Sequence, residues 1–189
     1  GGINCYDPSA GQVVNRYFFS NSKTGNVRSN DIKAIYHHPD GRKVYVGIHN
    51  NGLNVIDRKT GKTSHLSSPG SVVSIEPIDD NRLLLLSYGP LFSIYEIGSD
   101  RCESVKEGSV SILFKSSAGE YFATDSLKRL TFSEEGKILF GEPSVPVKRV
   151  VDVCESLDSS SLYVASKYEL FKYDSVAKTS ERIELPEDF

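Results

Sequence analysis

DIKAIYHHPDGRKVYVGIHNNGLNVIDRKTGKTSHL, residues 31–66, is the stretch whose reading decides the fold. It divides into four extended runs separated by turn chemistry. Ile32–Tyr36 is the first run, and His37-His38-Pro39-Asp40-Gly41 ends it, with Pro and Asp-Gly supplying turn residues. Lys43–Ile48 alternates, which puts Val44, Val46 and Ile48 on one face. His49-Asn50-Asn51-Gly52 is a second turn, and Leu53–Ile56 is the third run. Asp57-Arg58-Lys59-Thr60-Gly61 is a third turn, and Thr63–Leu66 the fourth run.

The same order returns downstream, and a missed repeat would misassign the whole chain. Val72–Glu76, Arg82–Leu86, Leu91–Tyr95 and Cys102–Val105 form one further copy. Val110–Phe114, Tyr121–Thr124, Arg129–Phe132 and Lys137–Phe140 form another. Val150–Cys154, Leu162–Ala165, Leu170–Tyr173 and Glu181–Leu185 form the last. The positions that follow the third runs, Asp57, Glu96, Ser133 and Asp174, are 39, 37 and 41 residues apart. A period near forty with four strands per unit is the signature of a β-propeller blade.

Gly2–Gly11 parallels Gly52–Gly61, and Gln12–Phe19 follows as a fourth strand, so the chain opens halfway through a blade. The expectation is an all-β fold, a partial β-propeller of about four and a half four-stranded antiparallel blades. Its half blade covers residues 1–29, and the blades about 30–69, 70–108, 109–147 and 148–189. Leu83-Leu84-Leu85-Leu86 has no polar face, which suits an inner strand covered on both sides. The fourth runs are more polar, as Thr63-Ser64-His65 and Glu181-Arg182 show.

Composition supports a packed domain and narrows the partners. The 189 residues are 38% hydrophobic and 25% charged, with a net charge of −3. The basic residues are dispersed, so nucleic acid is not expected as a partner. No apolar run approaches the roughly 18 residues of a membrane helix, and no secretory leader pattern stands at the start. Membrane contact is therefore not expected of this segment. The chain has no Met and begins at Gly1, which reads as a piece of a longer protein. Cys5, Cys102 and Cys154 show no metal-ligand spacing, and their places two blades apart predict three free thiols. No metal and no cofactor are expected.

Residues 29–66 resemble the two-component regulator propeller repeat, whose unit reads Asn-Asp-Ile-x-Ala-Ile-Tyr, an acidic-Gly turn, Trp-Ile-Gly-Thr, Gly-Gly-Leu and Asp-x-x-Thr-Gly-Lys. Here it stands as Asn30-Asp31-Ile32-Lys33-Ala34-Ile35-Tyr36, Asp40-Gly41, Tyr45-Val46-Gly47-Ile48, Asn51-Gly52-Leu53 and Asp57-Arg58-Lys59-Thr60-Gly61-Lys62. The other copies are more degenerate. One sets Leu85 at the place read as the aromatic one and Gly89-Pro90-Leu91 for Gly-Gly-Leu, and no copy keeps the Trp. The resemblance implies the periplasmic sensor region of an inner-membrane regulator, Bacteroides-like, with a kinase or DNA-binding output elsewhere in the full-length protein. It also implies a small-molecule ligand, an oligosaccharide by analogy, and a homodimer in the full-length protein.

Candidate ligand residues lie on the turns between second and third strands, which share one rim. They are His49, Asn50 and Asn51, then Tyr88, then Asp125, then Lys167 and Tyr168. Arg28, with Lys23 and Asn30, sits in the polar incoming loop Ser20–Asn30 and is expected to reach the same rim. An aromatic, amides and charges of both signs suit a polar ligand, and Asn-Asn-Gly is also plain turn chemistry. His37-His38 reads as a pair of surface turn residues. No Gly-x-Ser-x-Gly elbow, P-loop or dinucleotide fingerprint appears, so no catalytic residue is assigned and the segment is not read as an enzyme. A propeller lactonase or lyase and a protein-interaction scaffold are the alternatives. The enzyme reading is weakened by the Ile, Val, Ser and Ala that dominate the first strands, Asp152 excepted.

Overall fold

The computed structural model describes residues 2–18, 27, 29–66, 68, 70–88, 91–106 and 112–185. Among these there are eighteen β-strands and no helix. A two-stranded antiparallel sheet comes first, β1 (Ile3–Asp7) with β2 (Gln12–Tyr17). Four four-stranded meanders follow, in which each strand pairs antiparallel with the next, the order of a propeller blade. They are β3 (Ile32–His37), β4 (Lys43–Ile48), β5 (Gly52–Asp57) and β6 (Thr63–Leu66), then β7 (Val72–Pro77), β8 (Arg82–Ser87), β9 (Leu91–Glu96) and β10 (Arg101–Lys106). The third is β11 (Leu113–Lys115), β12 (Tyr121–Ala123), β13 (Lys128–Phe132) and β14 (Ile138–Pro143), and the fourth β15 (Val150–Glu155), β16 (Ser161–Ser166), β17 (Leu170–Asp174) and β18 (Thr179–Ile183). Two compact units result, Gly1–Lys106 and Glu107–Phe189.

Several expected strand limits move: Gln12–Phe19 ends at Tyr17, and Lys137–Phe140 becomes Ile138–Pro143. The last strand starts at Thr179 rather than Glu181, because Asp174 pairs directly with Thr179 across a tight turn. Lys178 takes a positive φ of 58° there and donates its N–H to the Asp174 carbonyl at 2.9 Å. The first strand of the third meander is β11, Leu113–Lys115; the expected start at Val110 lies outside the described residues.

Within Gly1–Lys106, β4 buries both faces. Val46 and Ile48 pack with Tyr17, Val27 and Ile56, while Tyr45 on the other face packs with Leu53, Val72, Ile75, Leu83, Leu85 and Tyr95. The all-leucine run of β8 is buried at every position, and each fully buried Leu contributes about 1.5–3 kcal/mol. Gly47 marks where the two meanders touch. A Cβ there would lie 2.6 Å from the Val72 carbonyl oxygen and 3.2 Å from the Ala34 Cβ, so the repeat's Gly is a packing requirement. The register puts Leu84, not Leu85, at the place of Tyr45, since Tyr45 opposes Tyr36 as Leu84 opposes Glu76.

Within Glu107–Phe189, Phe122, Leu127, Val145 and Val147 pack with Val150, Val153, Leu162, Val164, Phe171 and Tyr173. Cys5, Cys102 and Cys154 are free thiols.

The turns from third to fourth strands explain the Asp-x-x-Thr-Gly pattern. Asp57 Oδ1 accepts the Thr60 N–H at 2.8 Å and the Thr60 hydroxyl at 3.0 Å. Asp7 accepts from the Ser9 N–H and Asp174 from the Val176 and Ala177 N–H groups at 2.7–2.8 Å. These bonds hold all three carboxyls below the usual Asp range, through the Ala10, Thr60 and Ala177 N–H groups first.

His38 corrects the sequence reading. It is buried, while its neighbour His37 is exposed beside Arg58 at 3.1 Å. His38 Nε2 donates to the Asp80 carbonyl at 3.0 Å, and Nδ1 accepts the Asp40 N–H at 3.3 Å. Adjacent extended residues point opposite ways, and the inward one here bridges two meanders. Tyr36 and Tyr45 lie against the His38 ring, and Tyr45 against Tyr95, all with centroids 6.3 Å apart. Burial pushes Tyr45 up to about 12 and Tyr95 higher still, Tyr95 also donating to Asp100 Oδ1 at 3.0 Å.

Candidate ligand-binding rim

One end of each meander carries the turn between second and third strands and the link into the next first strand. In Gly1–Lys106 this end is assembled from His49–Asn51, Ser71, Ser87 and Tyr88. β4 ends at Ile48 and β8 at Ser87, so His49 and Tyr88 occupy the same place in successive meanders. Each donates its N–H to the residue before its first strand: His49 to Asp31 at 3.0 Å and Tyr88 to Ser71 at 3.1 Å. Their rings meet edge to face, with centroids 5.2 Å apart at 89°. Tyr88 is 62% exposed, which leaves much of the ring open to solvent.

Asn50 and Asn51 serve mostly to build the turn. Asn50 has φ +58°, a conformation Asn tolerates better than most residues. Its N–H donates to Ser71 Oγ at 2.7 Å, and the Ser71 hydroxyl donates back to Asn50 Oδ1 at 3.1 Å. Asn51 Nδ2 donates to the His49 carbonyl at 3.4 Å. The Gly52 N–H reaches the Gly70 carbonyl at 2.8 Å, so the turn is stitched to the next meander's incoming segment. Lys33 pairs with Asp31 at 2.9 Å, and this hydrogen bond and charge hold Lys33 above its usual value.

Three buried side-chain atoms among the described residues have no hydrogen-bond partner: His49 Nδ1, Ser87 Oγ and Thr124 Oγ1. All three sit where a second strand ends. Such atoms cost about 1–3 kcal/mol each if left unmade; His49 and Thr124 hold the same place in their meanders, and Ser87 is one residue earlier.

In Glu107–Phe189 the same end holds Thr124, Asp125, Lys167 and Tyr168. The register places Thr124 rather than Asp125 at the position of His49, because Ala123 opposes Leu113 and the turn has four residues, 124–127. Thr124 donates its N–H to the Ile112 carbonyl at 3.2 Å, the bond His49 makes to Asp31. The Asp125 carbonyl accepts the Val150 N–H at 2.9 Å. Lys167 Nζ lies 4.9 Å from the centroid of the Tyr168 ring, which is 76% exposed. Arg28 lies outside the described residues.

Sequence reasoning found His49 and Tyr88 and missed Ser71, Ser87 and Thr124. The signal available was a polar residue closing a run of buried apolar ones, as Ser87 closes Leu83–Leu86. Among the described residues no three His, Cys, Asp or Glu side chains are grouped to hold a metal ion. No described helix is long and apolar enough to cross a membrane.

Neither a family model nor a curated protein matches the chain. Solved structures do. The extracellular domain of a hybrid two-component system from B. thetaiotaomicron superposes with TM-score 0.79 at 16% identity, covering 98% of this chain and 26% of that one. A second extracellular domain from B. thetaiotaomicron gives TM-scores of 0.75 and 0.65 in two crystal structures, one described as from a hybrid two-component system and the other as from a one-component system. Identity there is 14% and 15%, over 97% and 87% of this chain. The chain thus spans about a quarter of the length of the structures it matches. Over nearly all of its own length it has the fold of these bacterial extracellular signalling domains.

Proposed function

We propose that this chain is part of a ligand-sensing β-propeller, four and a half blades of it, outside the inner membrane in a bacterial two-component-type regulator. The observation that carries the reading is the rim. An open Tyr88 ring stands edge-on to His49, and His49 Nδ1 and the adjacent Ser87 Oγ are buried without hydrogen-bond partners. An aromatic platform beside unmet hydrogen-bonding groups suits a polar small molecule such as an oligosaccharide. The segment is read as non-enzymatic and periplasmic, the sensor region of a homodimeric inner-membrane protein that carries its output elsewhere. Signalling would be a population shift, in which ligand binds one arrangement of the dimer better than another.

The test is calorimetric titration of the chain with a panel of neutral and acidic oligosaccharides. Tyr88→Ala and His49→Ala are expected to weaken a binding member at least about tenfold, or 1.4 kcal/mol, with melting temperature kept. Unchanged affinity in both variants would remove this rim from the site.

A further inference from the structure

Asn51-Gly52 is the only Asn-Gly pair in the chain. Such a pair can close on itself, because glycine has no Cβ to shield its nitrogen from the neighbouring side chain. In the folded rim that nitrogen is held. The Gly52 N–H donates to the Gly70 carbonyl at 2.8 Å, and Gly52 takes a φ of 63°. Its neighbours are tied to the same link: the Asn50 N–H donates to Ser71 Oγ and the Leu53 N–H to Ser68 Oγ, both at 2.7 Å. Three N–H groups of the turn thus end on Ser68, Gly70 and Ser71, which lead into β7, and one of the three belongs to the nucleophile. The Asn51 side chain is half-buried, with Nδ2 donating to the His49 carbonyl at 3.4 Å. The Asn51 carbonyl accepts from Asn54 Nδ2 at 3.4 Å, a bond that polarises the peptide and makes the Gly52 N–H more acidic.

We propose that Asn51 is a site of spontaneous deamidation, locked in the folded chain by Ser68, Gly70 and Ser71, and that its products undo the turn. Water is the only co-reactant. The Gly52 nitrogen bonds to Asn51 Cγ, the Cγ–Nδ2 bond breaks, and the Gly52 proton leaves with the amide as ammonia. Hydrolysis of either carbonyl of the succinimide then gives Asp or isoaspartate. Isoaspartate adds a methylene to the main chain ahead of Gly52, and Asp sets a carboxylate where the amide donated to His49. Either change shifts the turn that holds the His49 ring against Tyr88. Asp40-Gly41 could cyclise in the same way. Its carboxyl accepts the Arg42 N–H at 2.8 Å, which holds it below the usual Asp range, so it is ionised near neutrality and a poor electrophile. This chemistry does not depend on the rim binding a ligand.

The experiment holds the whole chain and a synthetic peptide of residues 45–57 in mildly alkaline buffer, well below the melting temperature, and follows residue 51 by peptide mass mapping. The peptide is expected to deamidate at least about tenfold faster than the chain, while Asp40-Gly41 in the chain stays unchanged. Ser68→Ala with Ser71→Ala removes two of the ties and leaves the reacting pair intact, and is expected to speed the chain at least about threefold. Ser68→Ala alone serves if the double variant does not fold. His38→Ala loosens the same two meanders at their other end and is expected to leave the rate unaltered. Asn51→Gln should give no product. The aged chain, separated by charge, is expected to lose the nuclear Overhauser contact between the His49 and Tyr88 rings. Equal rates in peptide and chain, a rate unmoved by the serine variants, equal acceleration by His38→Ala, or an aged chain that keeps the ring contact would each overturn the proposal.

Discussion

At the end of the meanders where first strands turn into second strands, Asp40, Asp79 and Asp158 accept the N–H groups of Arg42, Asn81 and Ser160 at 2.8–3.1 Å. At the other end His49 Nδ1, Ser87 Oγ and Thr124 Oγ1 accept or donate nothing. Among the described residues the buried side-chain polar atoms without a partner thus all lie at one end, beside others there that are bonded, such as Asn50 with Ser71. A bonded polar group such as His38 should cost stability when removed, and an unpartnered one such as Ser87 should not.

The largest effect is expected where the polar group is bonded. His38→Ala removes a buried ring and leaves the Asp80 carbonyl and the Asp40 N–H without it, at a cost of about 2–4 kcal/mol in chemical denaturation. A loss under about 0.5 kcal/mol would mean that the bridge between the two meanders does not hold the fold. Gly47→Ala comes next, at about 1–3 kcal/mol, because its Cβ meets the Val72 backbone. Gly61→Ala is the control, with open space around its Cβ and only the positive φ of 70° to oppose it.

Acid sharpens the contrast further. The carboxyls of Asp7, Asp57 and Asp174 are held below the ordinary value, and Asp158 at about 2, by hydrogen bonds from Ser156 and Ser160. A depressed carboxyl stabilises the fold fully above its unfolded pKa and loses that stabilisation as pH falls through the folded one. Melting temperature should therefore be level near neutrality and fall between about pH 4 and pH 2. Asp57→Asn and Asp174→Asn together should flatten part of that fall, and an unaltered acid profile would refute the turn assignment.

The smallest effect has the opposite sign. Ser87→Ala deletes a buried hydroxyl without a partner, so stability should hold or rise by about 0.5 kcal/mol while affinity for a verified ligand falls. If Ser87→Ala destabilises as His38→Ala does, the bonded and the unpartnered group are not different in kind.

The strand pattern was legible because it is local: period-two alternation and Asp-Gly, Asn-Gly and Thr-Gly turns place nearly every strand within two residues. His38 was not legible, since its partner carbonyl belongs to Asp80, 42 positions away. Thr124 escaped because its turn is one residue longer than that of His49, which shifts the apparent equivalence onto Asp125. His49 and Tyr88 were found as rim residues, but their ring contact depends on two successive strands ending at the same height.

The tyrosines of β4 and β9, Tyr45 and Tyr95, also make the chain its own optical gauge. With no Trp, its near-ultraviolet signal comes chiefly from ten Tyr residues. Burial raises Tyr45 to about 12 and also raises Tyr95, which donates to Asp100. A raised phenol favours the fold below its unfolded value near 10 and ceases to do so as pH climbs through the folded one. In an absorbance titration in alkali, ionisation of Tyr45 and Tyr95 should accordingly come late and coincide with the parting of their two meanders, with no added label needed to see it.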